Sequence, residues 1–128
     1  MTVQNKAEQL EQELGQFIGT VRWYRWSVMF REMLCTDGVK YLAERAGAYW
    51  LLDAIAAHQS DPAIKASERL RAFQVWVLRV DGNAARLECL EDADQAPVIV
   101  QEIERTDFPL KEITLYCQNN VILLPSEY

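Results

Sequence analysis

Apolar residues recur along this chain with two different periods, and the change of period divides it. Between about residues 4 and 17, Ala7, Leu10, Leu14 and Phe17 follow one another at three- and four-residue steps on a background of Gln, Glu, Asn and Lys. That spacing predicts an amphipathic helix with one core-facing stripe. Gly15 costs about 1 kcal/mol relative to alanine inside a helix, so the helix is expected to fray or end there, with Gly19 and Thr20 as its exit turn. A stronger helical signal opens at Thr36 and Asp37, either of which can accept a backbone N–H at a helix start; Asp37 reads as a helix cap. Val39, Leu42, Ala43 and Ala46 form one stripe, and Ala48, Leu51, Leu52, Ile55 and Ala56 form the next. Gly47 lies between them, which predicts either one bent helix over 37–59 or two consecutive ones. Ser60, Asp61 and Pro62 supply stop and turn chemistry, and residues 62–71 predict a further short helical turn.

From Phe73 the period becomes two. Phe73, Val75 and Val77 alternate with Trp76, Leu78 and Val80. Two apolar faces predict a strand inside the sheet and covered on both sides. Asp81, Gly82 and Asn83 form a hairpin signal, because glycine accepts positive φ without the cost of a Cβ. The returning strand carries Ala85, Leu87 and Cys89 on one face and Arg86 and Glu88 on the other. An acidic loop over 91–95 leads to a third strand over 98–103. Thr106–Asp107–Phe108–Pro109 interrupts the pattern, and a last hairpin runs over 113–124 around Asn119 and Asn120.

Residues 21–35 fit neither period over their whole length. Val21, Trp23 and Arg25 alternate with Arg22, Tyr24 and Trp26, whereas Met29, Phe30, Met33 and Leu34 are spaced as in a helix. The expectation is a short irregular or strand-like passage along one edge of the core. The elements together predict an α+β fold, with N-terminal helices packed on one face of a four- to five-stranded, mainly antiparallel sheet. Residues 1–128 are expected to form a single domain.

Charge changes this picture more than composition does. The formal net charge is −6, but residues 1–71 hold nine Lys/Arg and nine Asp/Glu, while residues 72–128 hold four and ten. The strand-rich half therefore carries the whole excess. That bias argues against nucleic acid as a partner, since phosphate neutralisation supplies much of such binding. It favours a basic partner or serves solubility alone; the partner expected is another protein or a second copy of the chain. No basic stretch leads into an apolar segment near the N-terminus, and no apolar run approaches the roughly 20 residues that span a bilayer. No membrane association is expected, and a cytoplasmic location is the default. Cys35, Cys89 and Cys117 are odd in number and widely spaced, which predicts reduced, buried thiols rather than a disulfide scaffold or a zinc site.

Candidate chemistry is sparse. The single histidine, His58, ends the long helical segment with Asp61 three residues on, within local reach as an orienting acid. The structural reading, a histidine near a helix C-terminus, is favoured. Carboxylates lack diagnostic spacing, and no phosphate-loop, dinucleotide, zinc-protease or nucleophile-elbow motif is present. No catalytic residue, metal ligand or cofactor is assigned. The most unusual composition is Arg22–Trp23–Tyr24–Arg25–Trp26, followed by Phe30 and Arg31. Arginine with aromatics is the composition of interface hot spots, although two of the three aromatics are expected to seal the core. Trp50, adjacent to Tyr49 on a helix, is a further candidate for the same surface. Asp53 reads as the polar side of its helix.

The leading expectation is thus a non-enzymatic interaction module using Arg22, Trp23, Tyr24, Arg25, Trp26 and Trp50. One alternative is a small enzyme or small-molecule binder with a pocket between helices and sheet, using His58 and Asp61. Another is a nucleic-acid mimic using the acidic C-terminal half.

Several segments also carry a resemblance. Gln16–Phe17–Ile18–Gly19–Thr20, Thr36–Asp37–Gly38–Val39–Lys40–Tyr41–Leu42–Ala43–Glu44, Gly47–Ala48–Tyr49–Trp50–Leu51–Leu52–Asp53–Ala54–Ile55, Phe73–Gln74–Val75–Trp76, Thr106–Asp107–Phe108–Pro109–Leu110 and Leu123–Leu124–Pro125–Ser126–Glu127–Tyr128 resemble a small bacterial family of single-domain proteins of unknown function. The similarity spans nearly the whole chain. It implies a coherent domain and brings no catalytic or binding residues with it.

Overall fold

The computed structural model describes residues 5–128. Residue 4, where the first helix was expected to begin, lies outside them. Helix α1 spans Lys6–Leu14, with the Asn5 side chain accepting the Glu8 N–H at 2.8 Å and Gly15 closing the C-terminal end. It buries Leu10 and Leu14. The Tyr41 hydroxyl, on the next helix, donates to Glu13, and Arg45 stands 3.7 Å from the same carboxylate.

The long helical signal resolves into two helices. Helix α2, Asp37–Ala46, is capped by Thr36 and ends at Gly47, whose φ of 61° is left-handed. Both Gly47 and Ala48 donate their N–H groups to the Ala43 carbonyl. Glycine removes the Cβ penalty of that conformation, which is why the chain can turn there and restart at once. Helix α3 is Tyr49–His58, and two short helices follow, α4 (Pro62–Lys65) and α5 (Glu68–Ala72). The Asp61 and Ser67 side chains cap them.

Among the described residues the sheet has seven strands, which corrects the expected four to five. Strand β1 is Trp23–Tyr24, β2 is Leu34–Thr36, β3 is Phe73–Asp81 and β4 is Ala84–Leu90. Strand β5 is Ile99–Ile103, β6 is Glu112–Gln118 and β7 is Val121–Leu123. Their order is β1-β2-β7-β6-β3-β4-β5. The two additional strands come from the segment whose pattern was mixed. With two and three residues they are too short to display a period. Their pairing is also partly non-local, because β2 lies parallel to β7, with Cys35 opposite Ile122. All other pairings are antiparallel.

Both predicted hairpin turns have the required backbone. Gly82 has φ 64°, while Asn119 and Asn120 have φ 50° and 69°, the two positive values that a two-residue turn of matching twist demands. Each of the helices α1 to α5 contributes to one core on one sheet face, where Leu42, Leu52, Ile55, Ile64 and Leu70 meet Trp76, Leu78, Leu87 and Leu115. The opposite face of β3 carries a small cluster, Val75, Val77 and Leu90, against Phe73 and Tyr116. β3 is thus central, as its two apolar faces predicted, but side chains rather than helices shield its second face. Tyr128 folds back over that cluster, its ring 5.4 Å from Phe73 and 5.7 Å from Tyr116.

Candidate functional site

Residues 18–33 leave α1, form β1 and cross the helical layer before entering β2; we term this segment the strap. It has little regular structure, so side chains from other elements fix its course. Asp37 is the main anchor. Its carboxylate accepts the Val21 N–H at 2.8 Å and the Tyr24 hydroxyl at 2.8 Å, while its own N–H donates to the Thr20 hydroxyl at 2.9 Å. The residue expected to act as a helix cap therefore organises the strap, and Thr36 is the cap, its hydroxyl accepting from Val39. A second anchor is Asp53 of α3, which accepts the Trp26 indole N–H at 2.9 Å. Phe30 and Trp26 pack against the main core, and Met33 is buried within it.

These anchors divide the candidate residues. Tyr24, Trp26 and Trp50 are half-buried and packed on the core, whereas Trp23 is 56% exposed. Arg22 and Arg25 are exposed as well. Exposed apolar side chains extend along the strap: Ile18 and Val21, then Val28 at 85% and Met29 at 79%. Sequence reasoning did not single these four out as surface residues, because the mixed periods of this segment do not say which apolar side chains point outward. Arg22, Arg25 and Arg31 have no side-chain hydrogen bond or ion pair among the described residues. The strap thus presents apolar side chains and three open guanidinium groups on one stretch of backbone, flanked over α3 by concavities of about 510 and 620 Å3.

The hold of Asp37 on the strap is sensitive to acid. The Val21 N–H, and after it the Tyr24 hydroxyl, keep the Asp37 carboxyl below its ordinary value; the same hydrogen bond pushes the Tyr24 hydroxyl up. A depressed folded value means that the contribution is complete above about pH 4 and is lost as pH falls through the lower folded value. We expect the Val21 amide to lose hydrogen-exchange protection in Asp37→Ala at neutral pH, with the β3 amides unchanged. Unaltered Val21 exchange in that variant would contradict the anchor.

His58 and Asp61 are brought together, but with neighbours of structural character. The His58 ring is half-buried, with Nδ1 3.8 Å from the Asp61 carboxylate and Nε2 2.7 Å from the Gln101 side-chain oxygen. Trp76 stands against it at 5.5 Å between ring centroids. Asp61 also caps α4 through the Ala63 N–H. The three thiols are free and buried, and burial pushes each up to about 12, so they hold their protons at neutral pH. Among the described residues no group of three or more His, Cys, Asp or Glu is placed to hold a metal ion. No helix among them is long and apolar enough to cross a membrane.

The acidic excess of the C-terminal half is dispersed. Glu88, Glu102 and Glu112 pair with Arg79 and Arg86 at 2.9 to 3.1 Å in a ladder across the outer sheet face. Glu91 faces Arg69, and Glu127 is committed to the start of α2. Asp81 ends β3, Asp92 and Asp94 share the β4–β5 connection, and Asp107 lies on the β5–β6 connection.

These features define an α+β protein with a helical layer on one face of a mainly antiparallel sheet and an exposed Arg–aromatic strap. The model of a family of unknown function, DUF6876, matches residues 8–128, and the chain belongs to that family. No curated protein and no solved structure matches the chain.

Proposed function

We propose that this protein is a non-enzymatic interaction module that engages another protein through the strap. The observation carrying this reading is the run of exposed apolar residues from Ile18 to Met29, interleaved with the unpaired Arg22 and Arg25. Trp and Arg are enriched among the few residues that dominate binding at protein interfaces, the ring because it buries much area with two rotors and the guanidinium because its planar fork is pre-organised for paired hydrogen bonds. Anchoring by Asp37 and Asp53 holds the strap in one course before binding, which reduces the ordering cost of association. The open guanidinium groups favour a partner surface that carries acids around an apolar centre.

Two alternatives have less support. The His58–Asp61 pair has its ring nitrogens turned to Asp61 and Gln101, with no nucleophile among its hydrogen-bond partners. A nucleic-acid mimic needs acids in a spaced stripe, and here Glu88, Glu102 and Glu112 are paired with Arg79 and Arg86, while Asp92 and Asp94 sit together on one loop at the end of β4.

The test is affinity capture of a partner from extracts of the source organism, followed by titration of the purified partner. Trp23→Ala and Arg25→Ala are each expected to weaken binding about tenfold, or about 1.4 kcal/mol, with folding unchanged. Sedimentation equilibrium provides the arm for a second copy as partner. A partner bound equally by both variants would overturn the assignment of the strap.

A further inference from the structure

Beneath the strap, against α2 and α3, lies a concavity of about 310 Å3 lined by Tyr24, Arg25, Trp26, Lys40, Tyr49 and Asp53. Three of these residues are aromatic, two from the strap and one from α3. That volume lies at the small end of the range of about 300–1,000 Å3 for small-molecule sites, and so fits a one- or two-ring ligand. The charged groups around the concavity differ in how far they are already engaged. Asp53 accepts the Trp26 indole N–H, and Asp37 accepts the Tyr24 hydroxyl. Lys40 pairs with Glu44 at 3.0 Å and stands 4.7 Å over the Tyr24 ring. Its ammonium keeps donors to spare, since only one is given to Glu44. Arg25 alone has neither an ion pair nor a side-chain hydrogen bond among the described residues. Each nearby acid therefore has at least one partner, while the guanidinium has none.

We infer that this concavity binds a small aromatic carboxylate, its ring among Tyr24, Trp26 and Tyr49 and its carboxylate on Arg25, with Lys40 adding positive charge behind it. An aromatic amine of the same shape meets two cations against one acid in the lining, Asp53, which already accepts the Trp26 indole N–H. A neutral ring forfeits the charge-assisted bond to the guanidinium. The binding is reversible and non-covalent, because a carboxylate offers no electrophile and the nearest thiol, Cys35, is fully buried. This inference does not depend on a protein partner, and Trp23 lies outside the lining of the concavity.

Titration of the full chain with indole-3-carboxylate and benzoate, followed by the indole N–H resonance of Trp26 and by calorimetry, tests it. The expected result is saturable binding of at least one acid, weakened about tenfold by Arg25→Gln and unchanged by Trp23→Ala, with no comparable shift from tryptamine. Tyr49→Ala, with its fold checked by circular dichroism, is expected to weaken binding as well. Absence of a saturable shift with either acid would overturn the inference. So would equal response to tryptamine, or undiminished binding by Arg25→Gln. Because the probes need no protein partner, failure here leaves the strap interface standing, and failure of the interface leaves this site standing.

Discussion

Replacing Gly38 with alanine is expected to destabilise the protein by about 3 kcal/mol, lowering its melting temperature by roughly 10 °C. Helix propensity alone predicts the reverse, since alanine is favoured over glycine by about 1 kcal/mol inside a helix. The sign is set by what Gly38 faces. A Cβ there would lie 2.5 Å from Leu124 Cδ1 and 2.8 Å from Glu127 Oε1. Both are ends of side chains, yet neither is free to withdraw. Leu124 is buried in the main core, and Glu127 accepts the Thr36 hydroxyl at 2.5 Å and the Gly38 and Leu124 N–H groups at 3.0 Å. A carboxylate at the first turn of α2 also complements the helix dipole. Forcing Glu127 out therefore removes several charge-assisted bonds at once. Glu127→Ala reaches the same network and is expected to cost about 2 kcal/mol. The double variant is expected to cost less than the sum, because the two changes remove one shared arrangement. Thermal unfolding of the four proteins checks this, and full additivity would contradict the shared network.

A comparable loss, about 3 kcal/mol, is expected for Gln74→Leu, although leucine is the more hydrophobic residue at a buried site. Gln74 is 1% exposed on the helical face of β3, beside Trp76. Its side-chain oxygen accepts the Trp76 indole N–H at 2.7 Å, and its amide donates to the Leu70 carbonyl at 2.8 Å. The same amide pairs reciprocally with Gln59 at 2.8 Å in each direction. Leucine leaves the indole donor and the Leu70 carbonyl without partners in the core, and each orphaned group costs about 1–3 kcal/mol. Gln59 is half-buried, and its removal leaves Gln74 still bonded to the Trp76 indole and the Leu70 carbonyl, so Gln59→Ala is expected to cost only about 1 kcal/mol. Denaturant unfolding separates the two variants, and a Gln74→Leu protein as stable as the parent would show that this network contributes nothing.

Much of the fold was legible because its elements are long enough to show a period. The stripes of α2 and α3, the break at Gly47 and both tight turns follow from spacing and from residues that accept positive φ. Strands β1 and β2 were illegible as strands, because a two- or three-residue strand is defined by its partner and not by its own pattern. Contacts distant in sequence were hidden for a related reason. No local pattern marks Glu127, and only the folded chain brings it to Thr36 and Gly38. Asp37 and Asp53 had sufficient local readings, as a cap and as a solvent-facing helix residue, that concealed their hold on the strap. The Arg–aromatic segment itself was visible in the composition. Which of its rings are outward was not, since Trp23 and Trp26 differ mainly in that Trp26 has Asp53 to bind, 27 residues away.

The segments that carry the family resemblance contain several of these hubs: Thr36, Asp37 and Gly38, then Gln74 and Trp76, then Leu124 and Glu127. Each has a structural task in the folded chain, which accounts for a shared fold without specifying a shared reaction. The outward side chains of the strap, Trp23, Arg25, Val28 and Met29 among them, are the part of the surface that this framework positions but does not need for its core.

Site-specific photo-crosslinking in the source cells tests the strap most directly, with a benzophenone amino acid placed at Met29 and, as a control, at Thr114 on the outer sheet face. The proposed interface predicts a discrete protein adduct from position 29 that disappears when Arg25→Ala is added, and no matching adduct from position 114. The same adduct from both positions, or none from position 29, would contradict it.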